Sequence, residues 1–152
     1  MRIEKASEKD AELISRMISS EFPYTEANPE NLKKRMQRQN IRLFKAVEEG
    51  KIVGFIELEF LDNLFGVWRI NGIAVEEKHR KKGFGKKLAE FGVEFAKEQN
   101  ALELVLLVSL ENKAAKKIYQ NLGFKKKGLW KSKVGGKKAE EWSLQLEDKR
   151  IA

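Results

Sequence analysis

Apolar residues near the start of the chain recur at helical spacing. Four of them share one face of a helix predicted over residues 7–20: Ala11, Ile14, Met17 and Ile18. Ser7, with an acidic residue three positions later, has the form of a capping box at the start of this helix. Asn28-Pro29 has the form of an N-cap followed by proline, and predicts a second helix that ends near Arg38. Residues 21–28 are therefore predicted to be a loop between two helices.

From residue 42 onward the pattern changes to the apolar runs that are typical of strands. Residues 43–47 and 51–61 are two such runs, and Glu49-Gly50 between them predicts the turn of a hairpin. Asp62-Asn63 is a second turn signal, and residues 65–75 form a third run. We expect three consecutive strands in an antiparallel meander.

The next two segments change from a helical to a strand pattern. From residue 84 to residue 95, apolar side chains recur at spacings of four, three and four. Residues 102–108 are almost wholly apolar, as in a buried strand. Together with the preceding strand, these segments predict a βαβ unit with a parallel strand pair.

The end of the chain predicts a short helix and a hairpin. The helix covers residues 112–121 and is ended by Gly123, where a left-handed residue is favoured. Residues 124–133 and 139–146 are the two strands of the hairpin, which turns at Gly135-Gly136. No linker or repeat divides the chain, so residues 1–152 are expected to form a single α/β domain.

Composition narrows the chemistry that is available to the protein. Hydrophobic residues make up 41% of the 152 residues and charged residues 36%, which fits one folded domain. The absence of cysteine excludes disulfides, thiolate metal sites and a cysteine nucleophile, and we expect a reducing, cytoplasmic location. With His79 as the one histidine, a site of several histidines is excluded and no metal is expected. We find no signal sequence and no run of about 20 apolar residues, so no membrane association is expected.

The most informative segment connects the third predicted strand to the next helix. Gly83 and Gly85 would let a ligand approach the backbone closely, and the free N–H groups of a first helical turn bind anions. Residues 78–87 contain six Lys or Arg and no acidic residue, which suits a pyrophosphate. The alternative is a tight turn with solvated lysines. The glycine spacing matches neither a P-loop nor a Rossmann fingerprint.

Two motifs in this order resemble those of one enzyme family. Arg80-x-x-Gly83-x-Gly85, preceded by Ile73-Ala74-Val75, resembles the coenzyme-A motif of the GCN5-related N-acetyltransferases. Asn112-x-x-Ala115-x-x-x-Tyr119-x-x-Leu122-Gly123-Phe124 is similar to the helix that follows it in that family. The resemblance covers nearly the whole chain. It implies the GNAT fold, an α/β fold with a mixed central sheet of about six to seven strands, a splayed parallel pair at the cofactor cleft and about four flanking helices.

The resemblance also implies a site for acetyl-CoA as co-substrate. Backbone groups of Ile73, Ala74 and Val75 would pair with the pantetheine arm, between strands that splay apart. The turn residues expected to hold the pyrophosphate are Arg80, Lys81, Lys82, Gly83, Phe84, Gly85 and Lys86. Asn112 matches a residue that contacts the cofactor or orders water beside it, and its alternative role is the N-cap of its helix.

For the chemistry, the resemblance implies direct transfer of an acetyl group to a neutral amine. A backbone N–H near Val75 would stabilise the negative charge that develops on the thioester oxygen. Tyr119 matches the general acid that protonates the thiolate, and packing of its helix is its alternative role. Members similar to ribosomal-protein alanine acetyltransferase carry a glutamate base where this chain has Leu107. Glu57 and Glu59 share one face of a strand and remain candidates for a base, with a solvated face as the alternative.

The expected acceptor is an amine of a protein, a peptide or a small molecule. Removing the proton from a lysine ammonium group at pH 7 costs about 4.6 kcal/mol, whereas removing it from an α-ammonium group costs only about 1 to 1.4 kcal/mol. The missing glutamate therefore favours an acceptor of low pKa. The loop at residues 21–24 and the final hairpin, with Trp130 and Trp142, would line the acceptor cleft, although these aromatic residues fit core packing equally well.

Two other functions remain open. A protein that binds acetyl-CoA as a sensor or partner-binding module would have the same cofactor site without catalysis. The net charge of +8, with lysine clusters at 78–87 and 125–127, also fits a nucleic-acid-binding module whose affinity falls steeply with salt. Nucleic acid is the less favoured partner, because coenzyme A accounts for the first cluster. The sequence leaves open whether the protein is a homodimer.

Overall fold

The structure of the protein is a computed structural model that describes residues 1–147. These residues form seven strands and four α-helices, in the order β1 (Arg2–Lys5), α1 (Ala11–Glu21), α2 (Pro29–Met36), β2 (Ile41–Glu48), β3 (Lys51–Phe60), β4 (Val67–Val75), α3 (Phe84–Glu98), β5 (Glu103–Ser109), α4 (Lys113–Asn121), β6 (Lys125–Leu129) and β7 (Ala139–Gln145). The expected sheet size and helix number are confirmed.

All seven strands belong to one mixed sheet in the order β1-β2-β3-β4-β5-β7-β6. As predicted, β2, β3 and β4 are an antiparallel meander, and β4 and β5 are a parallel pair. β7 lies between β5 and β6 and is antiparallel to both. The parallel pair is therefore in the interior of the sheet.

Helices cover both faces of the sheet, because alternate side chains of each strand point to opposite faces. On the α3/α4 face, Ile56 and Leu58 of β3 pack with Leu88 of α3. On the α1/α2 face, Phe55 of β3 packs with Ile14 of α1. Each large side chain buried in this way contributes about 1.5 to 3 kcal/mol. No helix within residues 1–147 is long and apolar enough to span a lipid bilayer.

The first helix begins later than predicted. Residues 8–10 form a 3₁₀ turn, so α1 begins at Ala11 and the predicted start at residue 7 is wrong. The Ser7 N–H donates to Asp10 Oδ2 at 2.8 Å, as expected of the capping box. The same oxygen is 2.8 Å from Lys45 Nζ of β2. This ion pair, which the local sequence does not indicate, holds the turn against the sheet before the helix begins.

The second helix and the final hairpin are both shorter than predicted. The Asn28 side chain accepts a hydrogen bond from the Asn31 N–H at 2.9 Å, so the N-cap is confirmed, but α2 ends at Met36. β6 ends at Leu129, and the expected strand over residues 130–133 is wrong. Residues 130–138 instead form a loop of turns, with Gly135 and its neighbouring glycine both at positive φ.

Candidate active site

The parallel strands β4 and β5 separate partway along their length. Backbone pairing joins residues 67–70 of β4 to residues 103–106 of β5 and then stops. β4 continues to Val75 and β5 to Ser109 without pairing to each other, which leaves an opening between them. The splay that the resemblance implied for this strand pair is confirmed.

A β-bulge marks the point where the two strands separate. On β4, Gly72 is opposite Glu57 and Ile70 is opposite Leu58, so Asn71 is an extra residue. A bulge bends its strand and increases the local twist. Because Ile70 is also the last residue of β4 that pairs with β5, the bulge accounts for the opening that follows it.

Ile73 and Val75 direct their backbone groups into the opening. The Glu76 N–H donates to the Val53 carbonyl of β3 at 2.8 Å. Alternate residues of an antiparallel strand bond to the same neighbour, so Ala74 also faces β3. The N–H and C=O groups of Ile73 and Val75 consequently face β5, where the strand pairing has ended.

The turn between β4 and α3 carries a row of unbonded N–H groups. The first bond of α3 runs from the Lys87 N–H to the Gly83 carbonyl at 3.1 Å, and no acceptor within residues 1–147 bonds to the N–H groups of residues 81–86. Lys81 and Gly83 have φ values of +64° and +82°, left-handed conformations that form an anion-binding concavity. A Cβ at Gly83 or Gly85 would meet no atom within 4 Å. The turn therefore fits a pyrophosphate, with the positive end of α3 behind it.

Two side chains anchor this turn to the rest of the protein. Phe84 is 8% exposed, and its ring stacks on His79 with 6.3 Å between ring centroids. Arg80 Nε donates to the Val75 carbonyl at 3.0 Å, and Arg80 Nη2 donates to Glu21 Oε2 at 2.7 Å. Arg80 therefore joins the turn to the end of α1 and occupies one carbonyl group of the opening.

Glu57 and Glu59 lie on the same face of β3, as predicted, and both contact the bulge. Asn71 Nδ2 donates to Glu59 Oε1 at 2.9 Å and to Glu57 Oε1 at 3.4 Å. Arg35 of α2 forms an ion pair with Glu57, and Arg69 Nη2 is 3.3 Å from Glu59 Oε1. Glu57 is 7% exposed, so the alternative of a solvated face is wrong for this residue. Both carboxylates are already bonded to arginine.

The bulge residue and the two arginines of this network were not anticipated from the sequence. Arg35 lies in a polar helix, and Asn71 lies in an apolar run that shows no sign of a bulge. Their contacts depend on the packing of α2 against the sheet and on the register between β3 and β4. No local signal could have identified them.

The second sequence motif forms the two ends of α4. Asn112 Oδ1 accepts a hydrogen bond from the Ala115 N–H at 3.1 Å, so its N-cap role is confirmed. At the other end, the Phe124 N–H bonds to the Tyr119 carbonyl at 3.0 Å, and Gly123 has a φ of +97°. This is a Schellman motif, and the accompanying apolar contact joins the rings of Tyr119 and Phe124 at 5.6 Å.

The Tyr119 hydroxyl is suited to donate a proton. Tyr119 packs partly buried against the α3/α4 core, and this burial raises the pKa of its hydroxyl to about 12. The hydroxyl therefore stays protonated at neutral pH. It forms no hydrogen bond with any residue that the structure describes, which leaves it available to a ligand.

Two loops meet beside the opening on the α1/α2 face. The Phe22 ring lies 3.4 Å from the position of a Cβ at Gly72 of β4. A Cβ at Gly135 would lie 2.5 Å from Tyr24 Cδ1, so the loop at residues 130–138 packs directly on the loop that follows α1. Trp142 is 8% exposed and belongs to the α3/α4 core, so it does not line this cleft.

Comparison with known proteins identifies the family. Residues 11–124 match the Acetyltransferase (GNAT) family, and the chain belongs to it. An uncharacterized N-acetyltransferase of Methanocaldococcus jannaschii is 32% identical over 100 residues, which are 63% of this chain and 44% of the relative. N-alpha-acetyltransferase 30 of Xenopus laevis is 33% identical over 106 residues, 68% of this chain and 39% of the relative. The matches thus span less than half the length of these curated relatives.

Solved structures share the fold over nearly the whole chain. The ribosomal-protein-alanine N-acetyltransferase of Brucella melitensis superposes with a TM-score of 0.84 at 19% identity, over 96% of this chain and 100% of that one. The yncA protein of Salmonella typhimurium, solved with its cofactor acetyl-CoA, gives a TM-score of 0.81 at 17% identity, over 97% and 94% of the two chains. At these identities the likeness establishes the fold.

Proposed function

We propose that the protein is an N-acetyltransferase that moves an acetyl group from acetyl-CoA to an amine by direct transfer in a ternary complex. One observation carries the proposal. The backbone edge of Ile73 and Val75, which no strand covers and of which only the Val75 carbonyl has a partner, leads directly to the unbonded N–H groups of residues 81–86. An extended amide chain that ends in a pyrophosphate would satisfy both sets of groups, and coenzyme A has that form.

In this proposal the backbone of the chain binds and orients the co-substrate. Bound acetyl-CoA supplies a thioester carbonyl that an amine can attack. The Ile73 and Val75 backbone would pair with its amide arm, and the Val75 N–H is in the region where negative charge develops on the carbonyl oxygen. Lys81, Lys82 and Lys86 add positive charge around the pyrophosphate.

Tyr119 is the proposed general acid. Its hydroxyl is protonated at neutral pH because burial raises its pKa to about 12, and no described residue competes for its proton. When the C–S bond breaks, the leaving thiolate needs a proton, which the hydroxyl can donate. The Asn112 amide oxygen is committed to the helix cap, so any contact of this residue with the co-substrate would use its amide nitrogen.

The proposed acceptor is an α-amine of a peptide or protein. Such an amine needs only about 1 to 1.4 kcal/mol to become neutral at pH 7, against about 4.6 kcal/mol for lysine. The contact between Tyr24 and Gly135 narrows the approach on the α1/α2 face, which favours a slender chain end. Glu57 and Glu59, at the bulge, would help to position this chain end.

Calorimetric titration of the purified protein with acetyl-CoA is the first test, with CoA lacking the 3′-phosphate and duplex DNA as comparison ligands. We expect saturable binding of acetyl-CoA at moderate salt. Transfer is then measured with peptides that have free N-termini and with spermidine. Because the chain contains no cysteine, a thiol reagent reports only the CoA that is released.

Each contrary result identifies a different error. Binding of acetyl-CoA without transfer to any amine would favour a sensor or partner-binding protein. Failure to bind acetyl-CoA, together with strongly salt-dependent binding of DNA, would assign the lysine clusters to a nucleic-acid surface.

A further inference from the structure

Four carboxylates point from β3, β5 and β7 to the α1/α2 face of the sheet, and three of them are bonded to cations. Arg35 pairs with Glu57, Arg69 lies 3.3 Å from Glu59, and Lys127 lies 3.2 Å from Glu103. The fourth is Glu141 of β7. It forms neither an ion pair nor a hydrogen bond with any residue from 1 to 147, and it is half-buried.

The position of Glu141 follows from the register between β5 and β7. Glu141 is opposite Leu107, the first residue of β5 beyond the parallel pairing. The Leu110 N–H bonds to the Lys138 carbonyl at 3.2 Å, and by strict alternation Leu107 and Glu141 form a non-hydrogen-bonded pair. Side chains in such pairs are closest, with Cβ atoms about 4.5 to 5.5 Å apart. The carboxylate of Glu141 therefore lies beside the apex of the opening.

The other neighbour of Glu141 leaves the carboxylate uncovered. On the β6 side, Glu141 is paired with Gly128, which has no side chain to pack against it. Further along the same face, Ser143 Oγ and Lys127 both bond to Glu103. Among the carboxylates that β3, β5 and β7 direct to this face within residues 1–147, the one without a partner is thus the one next to the opening.

We propose that Glu141 is the general base of the acetyl transfer, an inference that rests on the proposed function. An acceptor amine arrives as an ammonium ion and must lose a proton before it can attack. An arginine beside a carboxylate stabilises its charged form, so protonating Glu57 or Glu59 would weaken an ion pair, whereas Glu141 has no ion pair to weaken. Glu57 and Glu59 therefore remain as positioning groups, and the proton goes to Glu141.

The proton balance of this step is complete. Glu141 takes one proton from the acceptor ammonium, directly or through one water molecule, and later releases it to solvent. The nitrogen lone pair forms the new N–C bond as the C–S bond breaks. Tyr119 donates a proton to the leaving thiolate, and the second proton lost by the nitrogen restores the Tyr119 hydroxyl through solvent.

The charged side chains that face Glu141 from the neighbouring strands are already paired. Lys127 and Glu103 are paired with each other on the same face, and across the opening Glu57 and Glu59 are paired with arginine. In the loop that follows α1, Tyr24 contacts the loop at residues 130–138, and burial raises the pKa of its hydroxyl. The difference between the wild-type and Glu141→Gln profiles, measured under the same conditions, therefore reports on Glu141.

Glu141→Gln tests the proposal through the pH dependence of kcat/KM. With the base in place, the wild-type value should change little between about pH 6 and 8, because the enzyme removes the proton that solvent would otherwise have to remove. Without the base, the rate follows the neutral amine and rises about tenfold per pH unit. We expect a deficit of about 100-fold or more at pH 6, which becomes smaller as the pH approaches 8.

Control variants separate this role from a structural one. Glu98→Gln makes the same change at the far end of α3, at an exposed carboxylate that forms no ion pair with any described residue. This variant should leave the pH dependence of kcat/KM unchanged. Leu107→Glu in the Glu141→Gln background places a carboxylate on the adjacent strand and should restore most of the rate at pH 6. Acetyl-CoA affinity and the melting temperature should be unchanged in all three variants.

A further measurement does not depend on turnover. Binding of a peptide with a free N-terminus to protein saturated with desulfo-CoA should weaken about fivefold in Glu141→Gln, because the ammonium loses a nearby negative charge. If the wild type transfers no acetyl group, the proposed function is wrong and this inference fails with it. If the wild type is active and Glu141→Gln keeps its rate within about threefold at pH 6, only the assignment of Glu141 is overturned.

Discussion

Replacing Gly83 by alanine should weaken acetyl-CoA binding far more than it weakens the fold. Gly83 has a φ of +82°, and a Cβ at this position would meet no atom within 4 Å. Without ligand, the cost is therefore limited to the left-handed conformation, about 1 to 2 kcal/mol. With ligand, a methyl group on this turn would take up space beside the N–H groups of residues 81–86, where we propose that the pyrophosphate lies.

Gly50, in the turn between β2 and β3, provides a matched control. Its φ is +77°, and a Cβ there would likewise meet no atom within 4 Å. Gly50→Ala should therefore lose the same 1 to 2 kcal/mol of stability, about equal to the loss in Gly83→Ala. The turn that contains Gly50 is not part of the proposed site, so this variant measures the effect of backbone strain alone.

Urea unfolding and calorimetric titration distinguish the two variants. Both should show the same decrease in the free energy of unfolding. Gly83→Ala should raise the Kd for acetyl-CoA about tenfold or more, which corresponds to about 1.4 kcal/mol, and Gly50→Ala should change it less than about twofold. Equal affinities in the two variants would refute the placement of the anion on this turn.

Two further predictions follow from single side chains. Tyr119→Phe should lower kcat about 100-fold and leave the Kd for acetyl-CoA unchanged. Its free energy of unfolding should stay within about 0.5 kcal/mol of the wild-type value, because no described residue bonds to the hydroxyl. Normal kcat in this variant would remove Tyr119 as the acid. Hydrogen bonds from Lys126 and Lys116 lower the pKa of the buried Glu140 carboxyl from 4.5 to about 2. The charged Glu140 carboxylate therefore stabilises the fold above about pH 4.5, and this stabilisation is lost as the pH falls towards 2. Allowing for solvent screening, Glu140→Gln should lower the free energy of unfolding by about 1 to 2 kcal/mol at pH 7. Urea unfolding at pH 7 and pH 3 measures this difference, and an equal loss at both values would contradict it.

The conformation of the turn before α3 and the ends of α4 were predictable because each depends on residues close together in the chain. Gly83 has to adopt a left-handed conformation, and the N–H groups that follow it are free because every helix leaves its first N–H groups unbonded. The cap at Asn112 and the left-handed Gly123 likewise involve partners within a few residues. Such features are encoded locally, and they were sufficient to identify the family.

The arrangement of carboxylates was decided only by the tertiary structure. Alternation along a strand places Glu57 and Glu59 on one face, but it does not reveal that Arg35 of a distant helix pairs with the first of them. The sequence likewise shows that Leu107 is apolar, but not that Glu141 stands beside it. That neighbour depends on strand order and register, which are set by how the whole sheet buries its two faces. Local residues therefore determined the turn where we propose that the co-substrate binds, whereas long-range packing determined which carboxylate is left without a partner beside the opening.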